Sequence, residues 1–264
     1  MPDLNRVGIL TAVILLAFAL TQLFPAPQFH LRLALPGFYF ALPLGLGAAM
    51  TLLATGLAAT GMDWLLRAHP ALGKKPTIEH WLVPTLTTFV IGVSLALLPS
   101  GPVWWTGFAV GAALLALVFL AEYVAVDPAA ASYAAATAGL TALSFAIYLI
   151  LIAALRLAGV RLFLLVPASF LTAGLISLRT LHLRLSGRWE FAWAGGIALV
   201  CTQLAAGLHY WPVSPVQFGL ALLGPLYALT SLAAALLEGT QLRRAWVEPA
   251  AALGLAWAAA VLIR

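Results

Sequence analysis

The sequence predicts an all-α fold: one polytopic bundle of transmembrane helices that occupies residues 1–264. Of these residues 64% are hydrophobic and only 8% are charged, and the mean hydropathy is +1.06. A soluble domain is about one quarter charged. Apolar windows of about 17 to 25 residues, the length that crosses a bilayer as a helix, recur along the chain. No water-soluble fold could bury this much apolar surface, so we expect the chain to be solvated by lipid.

Nine windows are long enough to span, and eight spans are the alternative because the last window is the shortest. The predicted spans are 7–24, 37–60, 80–99, 103–126, 130–155, 161–181, 189–208, 215–237 and 247–263. The first window follows Arg6 and resembles a signal peptide, but its apolar part is about 18 residues long, which is more than a signal peptide needs. We therefore interpret it as a retained span.

Charges, caps and short connections mark where the other helices begin. Thr77 as a cap, with Glu79 in the first turn, predicts the start of the third span. The connection "PSGP" (99–102) is so short that the third and fourth spans must be antiparallel neighbours. Asp127-Pro128 predicts a cap and first helical residue for the fifth span, and Ser214-Pro215 does so for the eighth. Glu190 lies in the first turn predicted for the seventh span, where the helix dipole favours an acid.

Prolines and glycines inside the spans predict local features. Pro43, Pro167 and Pro225 fall within predicted spans and predict kinks, because proline removes a helical hydrogen bond. Gly107 and Gly111 form a pair of small residues four apart, a pattern that allows two helices to approach closely.

Basic residues predict the orientation, because cytoplasmic loops of membrane proteins are enriched in lysine and arginine. Nine basic residues fall on one side of the predicted bundle, namely Arg6, Arg67, Lys74, Lys75, Arg179, Arg184, Arg188, Arg243 and Arg244. Four fall on the other side, namely Arg32, Arg156, Arg161 and Arg264. All eight acidic residues lie on the side with nine basic residues. We therefore predict a cytoplasmic N-terminus, a location in the cytoplasmic (inner) membrane of a prokaryote, and polar chemistry on the cytoplasmic face.

The segment "ISLRTLHLRLSGRWE" (176–190) holds the densest cluster of basic side chains. If the sixth helix continues through it, Arg179, His182 and Ser186 share one face, and Arg184 and Arg188 share another. The arginines could bind a phosphate group and His182 could transfer a proton. Alternatively, the segment is a positive rim whose arginines only reach the lipid phosphates.

Two acids lie at predicted helix C-termini, where the helix dipole disfavours negative charge. Glu122 ends the fourth span beside Tyr123, which we expect at the membrane interface. Arg179 lies about one turn inside its own span, and a charge there needs a partner. We therefore predict a Glu122–Arg179 ion pair. Glu238, at the end of the eighth span, joins the same candidate cluster.

The candidate site thus has Glu122 and His182 as proton-transfer residues and a set of substrate-binding residues, Arg179, Arg184, Arg188, Tyr123 and Glu238. His80 is interpreted as an interfacial, solvated side chain. The sequence predicts no metal and no cofactor, because the histidines lack ligand spacing and no span carries a lysine at its centre. No basic stripe with interleaved aromatic residues is present, so no nucleic-acid partner is expected.

Three functions fit these features, and the sequence does not decide whether the protein is an enzyme. The first is binding or processing of an anionic lipid or a phosphorylated isoprenoid at the cytoplasmic face. The second is a non-catalytic assembly subunit or scaffold, and the third is a permease for a neutral or amphiphilic solute. Membrane lipids are the expected partners, and other membrane subunits are the partners of the second hypothesis.

Overall fold

The computed structural model describes residues 4–24, 29–35, 38–73 and 76–263. Lys74, Lys75 and Arg264, which contribute to the predicted orientation, lie outside these residues, as does the acid Asp3. The elements are α1 (Leu4–Leu23), β1 (Phe29–Leu35), β2 (Phe38–Leu44), α2 (Leu46–Leu66), a 3₁₀ turn (Ile78–His80), α3 (Leu82–Leu97), α4 (Pro102–Val124), α5 (Tyr133–Leu157), α6 (Leu162–Arg184), α7 (Phe191–Leu208), α8 (Pro215–Leu237), α9 (Leu242–Ala245) and α10 (Val247–Leu262).

Within the described ranges, nine helical segments are long and apolar enough to cross a membrane. The predicted all-α membrane fold with nine spans is therefore confirmed. The last span is formed by Leu242–Leu262, in which the four-residue helix α9 precedes α10. The orientation of the termini stays a prediction.

The second predicted span, 37–60, has wrong boundaries. Residues Phe38–Leu44 form β2, which pairs antiparallel with β1 in a register that places Pro43 opposite His30. The helix begins only at Leu46 and continues to Leu66. Aromatic residues favour strands, and a proline in a helix interior would remove a hydrogen bond, so the "FYFALP" segment pairs as a strand before the helix starts. The kink expected at Pro43 is therefore wrong, whereas Pro167 and Pro225 do lie inside helices.

The predicted helix caps have mixed outcomes. Ser214 caps α8 and forms a capping box with Gln217, as the Ser-Pro pattern predicts. Thr77 occupies the cap position of the 3₁₀ turn, but its hydroxyl donates to Asp63 instead of accepting from a backbone amide. Asp127 does not cap α5, because that helix begins six residues later; its carboxylate accepts from the amide of Ala129 in a turn.

The chain divides into two compact units, Met1–Ala136 and Thr137–Arg264. In unit 1, α2 packs against α1 and α3, and α4 packs against α3 and α1. The core of unit 1 is apolar and includes Ile14, Met62 and Phe119. In unit 2, α8 lies at the centre and packs against α6, α7 and α10. The organisation as a single membrane domain stays a prediction.

The two glycines singled out on α4 face α3 at close range. A Cβ atom built on Gly107 would lie 2.6 Å from Leu98 Cδ1, and one built on Gly111 would lie 2.9 Å from Ile91 Cγ2. No real Cβ atom tolerates such distances without movement of the neighbour. The close approach that this glycine pair predicts between neighbouring helices is therefore present between α3 and α4.

Replacing Gly111 by leucine is expected to lower the free energy of unfolding by about 1 to 3 kcal/mol, since added methylenes in a packed contact force the helices apart. The matched control is Gly139→Leu on α5, where a new Cβ would meet nothing within 4 Å. Reversible unfolding in mixed detergent micelles measures both variants. Equal stability of the two variants would show that the α3–α4 contact is not tight.

The connection between α5 and α6 is predicted to be external, yet Arg156 and Arg161 lie at its two ends, and the contacts of Arg156 give a reason for its charge. Its guanidinium donates to the backbone carbonyls of His209 and Trp211, which follow the end of α7, and lies 5.1 Å from the ring centre of Phe218. His209 is the C-terminal cap residue of α7. Arg156 therefore supplies a donor to the carbonyl of the cap residue His209, one of the groups that a helix C-terminus leaves without an intrahelical partner.

Candidate functional site

A buried histidine–glutamate pair lies in unit 1. Glu122, on the last turn of α4, is fully buried, and His80, at the end of the 3₁₀ turn before α3, is 4% exposed. His80 Nδ1 lies 2.7 Å from Glu122 Oε2. When Glu122 is a carboxylate, which only accepts hydrogen bonds, Nδ1 carries the proton of this contact and donates it. A buried carboxylate needs such a donor, because an isolated charge in an apolar environment is very costly.

A second carboxylate lies on the other side of the same imidazole. His80 Nε2 is 3.3 Å from Glu79 Oε1, and the Glu79 side chain is 30% exposed. The His80 ring therefore lies between a fully buried acid and an acid that reaches the surface of the unit. The interpretation of His80 as a solvated side chain is wrong. The fold supplies the reason: the short "PSGP" connection makes α3 and α4 antiparallel, so the start of α3 and the end of α4 lie at the same end of unit 1.

Polar residues of α2 and of the segment that follows it lie at the same end of unit 1. Asp63 accepts hydrogen bonds from Arg67, at 2.6 Å, and from the hydroxyl of Thr77. The Asp63 hydrogen bond holds the pKa of the exposed Arg67 guanidinium above its usual range. His69 contacts the ring of Tyr123 edge-on, with ring centres 4.4 Å apart. The sequence predicts Tyr123 to be at the membrane interface, whereas in the structure its side chain is buried against His69.

His69 is held in its neutral form by its surroundings. Burial lowers the pKa of the His69 imidazole, and the negative charge of Asp127 opposes this shift. The amide of Ala71 donates to His69 Nδ1 at 3.1 Å, a contact that requires this nitrogen to be unprotonated. His69 is therefore a structural element of the turn after α2.

In unit 2 the basic segment is divided into a buried part and an exposed part. Arg179 and His182 are 1% and 4% exposed on α6, and the His182 ring lies against the Trp189 ring with centres 4.1 Å apart and planes tilted by 31°. The side chains of Arg184 and Arg188 are 37% and 63% exposed. A purely solvated positive rim therefore does not describe the first two residues.

Helix α6 ends at Arg184, so the expectation that it continues through Ser186 and Arg188 is wrong. Ser186 and Gly187 have φ angles of 52° and 92°, a left-handed conformation that stops a helix. The amide of Gly187 donates to the carbonyl of His182 at 2.9 Å and closes the last turn. The predicted shared faces, with Ser186 on one and Arg188 on the other, are lost with this break.

Each exposed arginine of the segment has an acidic neighbour. Arg184 Nε lies 3.4 Å from Glu238 Oε1, so the structure brings these two predicted site residues together. Arg188 Nη2 lies 2.8 Å from Glu190 Oε1. Such exposed pairs stabilise a protein by only about 0 to 1 kcal/mol. The predicted Glu122–Arg179 pair joins residues of the two units and stays a prediction.

Two further features complete unit 2 at this end. The hydroxyl of Tyr227 on α8 donates to Glu248 Oε1 on α10 at 2.8 Å, which ties these two helices together. A groove of about 400 Å³ runs between α7 and α8, and all of its lining side chains are apolar. The lining residues are Ala192, Trp193, Gly196, Ile197 and Val200 of α7 and Leu229, Leu232 and Ala233 of α8.

In the part of the chain that the structure describes, no group of three or more metal-ligating side chains is placed to hold a metal ion.

The helices and their lengths define the chain as a multi-pass membrane protein. Residues 25–263 match the family described as "Protein of unknown function (DUF5656)", and the chain belongs to this family. No curated protein and no solved structure matches the chain.

Proposed function

We propose that the protein binds a lipid that carries a phosphate group, either an anionic phospholipid or a phosphorylated isoprenoid, at the predicted cytoplasmic end of α7 and α8. The observation that carries the proposal is the apolar groove between these two helices. Its volume of about 400 Å³ falls within the range of about 300–1,000 Å³ that is usual for small-molecule sites.

The length of the groove fits a lipid chain. The α7 residues that line it run from Ala192 to Val200, which corresponds to about 12 Å along a helix axis. One half of the hydrocarbon layer is about 15 Å thick. Trp193 and Val200 remain 41% and 40% exposed, so the groove is open along its side. A hydrocarbon chain could therefore enter from the bilayer without opening the helix pair.

Basic side chains lie where the head group of such a lipid would be. Arg188 precedes the first residue of α7 by three positions, and Ala233 at the α8 side of the groove lies five residues before Glu238, the partner of Arg184. The contact with Glu190 uses one of the five donors of the Arg188 guanidinium. The remaining donors suit a phosphate oxygen.

The test fills the groove with a side chain and measures lipid binding. In Gly196→Leu the new side chain enters open space, since a Cβ there meets nothing within 4 Å. The control is Gly195→Leu, which also has open space but does not line the groove. The purified, delipidated protein is titrated with phosphatidylglycerol, undecaprenyl phosphate or phosphatidylcholine, and binding is measured by native mass spectrometry.

We expect Gly196→Leu to weaken binding of at least one phosphate-bearing anionic lipid by about tenfold or more, with Gly195→Leu close to the wild type. Whichever anionic lipid binds more tightly identifies the source of the phosphate. Equal binding of phosphatidylcholine would show that the groove holds a chain without selecting a head group. Wild-type binding by Gly196→Leu would reject the groove as the site and favour an assembly subunit or a permease.

A further inference from the structure

We propose that Glu79, His80 and Glu122 form a proton relay, through which the buried Glu122 carboxylate exchanges a proton with the aqueous surface of unit 1. This proposal is independent of lipid binding, because all three residues belong to unit 1 and none lines the groove of unit 2.

The three residues are ordered by burial. Glu79 is 30% exposed, the His80 side chain is 5% exposed and the Glu122 side chain is fully buried. The imidazole presents Nε2 to Glu79 at 3.3 Å and Nδ1 to Glu122 at 2.7 Å. A histidine whose two nitrogens face two carboxylates can take up a proton at one nitrogen and release a proton from the other. Such an arrangement gives a proton a path to a carboxylate that water does not reach.

The transfer balances as follows. A hydronium ion protonates Glu79 and leaves water, and the resulting carboxylic acid gives the proton to the lone pair of His80 Nε2. The Nδ1–H proton then passes to Glu122 Oε2, which leaves Glu79 as a carboxylate, His80 neutral with its proton on Nε2, and Glu122 as a carboxylic acid. Reversal of the same steps returns the proton to water and restores the first tautomer.

Other titratable groups of unit 1 surround the relay. Asp63 of α2 binds Thr77, three residues before His80, and its charge is balanced by Arg67. A positive charge on His80 would lower the pKa of the His69 imidazole, which lies in the turn after α2. On α4, Tyr123 follows Glu122 and packs on His69, while Asp127 lies just beyond the end of the helix. The substitution Glu122→Gln therefore serves to assign the carboxyl signal to Glu122 and not to Asp63 or Asp127.

The alternative is that His80 and Glu122 form a static structural pair. A relay and a static pair differ in how fast Glu122 takes up a proton. The test is therefore a pH jump on the full-length protein in a lipid film, followed by infrared spectroscopy of the protonated carboxyl group. We expect a C=O band that appears when the pH is lowered and is absent in Glu122→Gln. In Glu79→Gln the band should keep its amplitude but form at least about tenfold more slowly, because the surface donor is lost.

The matched control is Glu190→Gln, the same change at a partly exposed acid of unit 2, and it should leave the rate unchanged. His80→Gln should slow the band as Glu79→Gln does, since an amide cannot take up the proton. If His80→Gln does not fold, the Glu79 variant decides alone, because Glu79 is partly exposed. A wild-type rate in Glu79→Gln, or the lack of any band that depends on Glu122, would overturn the relay.

Discussion

Replacing Glu122 by glutamine is expected to lower the free energy of unfolding of the detergent-solubilised protein by about 1.5 to 3 kcal/mol. The carboxylate is fully buried and accepts a hydrogen bond of 2.7 Å from His80, which is itself buried. Glutamine replaces the charged acceptor of this buried hydrogen bond by a neutral amide, and hydrogen bonds to a charged group are about twice as strong as those between neutral groups. The measurement is chemical unfolding in mixed micelles, followed by tryptophan fluorescence.

The matched control is Glu238→Gln, which makes the same change in the exposed pair of Arg184 and Glu238. That variant should stay within about 1 kcal/mol of the wild type. A double-mutant cycle with His80→Gln should give a coupling of about 0.5 to 3 kcal/mol for residues in direct contact. If Glu122→Gln is as stable as Glu238→Gln, the buried pair does not hold α4 to the start of α3.

The same comparison applies to arginines of the basic segment. Arg179→Lys is expected to lower thermal stability, because a buried guanidinium depends on its planar set of donors, which an ammonium group does not reproduce. Arg188→Lys should not lower the thermal stability, since that side chain is 63% exposed and lysine keeps its positive charge. A cycle that combines Glu122→Gln with Arg179→Lys tests the predicted pair, and additive effects would contradict it.

Most of the fold could be predicted from hydropathy alone, because in lipid every spanning segment must satisfy its own backbone hydrogen bonds and so becomes a helix of fixed minimum length. The hairpin was missed because its second strand, Phe38–Leu44, is as apolar as a helix and adjoins α2. The aromatic residues of this segment and Pro43 favour a strand there, but a hydropathy window averages the hydropathy over many residues and does not register such local signals.

The end of α6 could have been placed from the sequence. Gly187 follows the last polar residues of the helix at a position where glycine commonly ends a helix in the left-handed conformation. The spacing of Arg184 and Arg188 favours a helix that continues through Arg188, whereas Gly187 favours a helix that ends before it. The structure shows the glycine to be decisive, since the chain turns at Ser186 and Gly187.

One member of the buried histidine–glutamate pair could be singled out from the sequence. The misplaced charge of Glu122 at a helix C-terminus indicated that it needs a partner, and the structure supplies one in His80. An isolated histidine beside a tryptophan is usually solvated, so the residue type gave no signal. The sequence does predict that α3 and α4 are antiparallel neighbours, which places the start of α3 beside the end of α4. This pairing indicates His80 as a candidate partner of Glu122.

Replacing Arg156 by methionine is expected to lower the free energy of unfolding by about 2 to 4 kcal/mol. The guanidinium donates to the carbonyls of His209 and Trp211, the latter at 2.9 Å, and hydrogen bonds from a charged donor are worth about 1.5 to 3 kcal/mol. Its position over the buried Phe218 ring adds a cation–π contact. Methionine fills the same space but leaves the His209 carbonyl without the guanidinium donor, whereas the Trp211 carbonyl keeps its hydrogen bond from the amide of Val213.

The lysine variant separates this role from membrane orientation. If Arg156 were only one charge among those that orient the protein, Arg156→Lys would unfold like the wild type, because orientation depends on charge and not on geometry. We expect instead a loss intermediate between those of the wild type and the methionine variant, since one ammonium group cannot reproduce a planar fork that reaches two carbonyls. Arg243→Met, at an exposed arginine of α9 in the same unit, controls for the loss of one positive charge and should change the stability by less than about 0.5 kcal/mol. A wild-type unfolding curve for Arg156→Lys would assign the residue to orientation alone and leave the turn between α7 and α8 to be held by the Ser214 capping box.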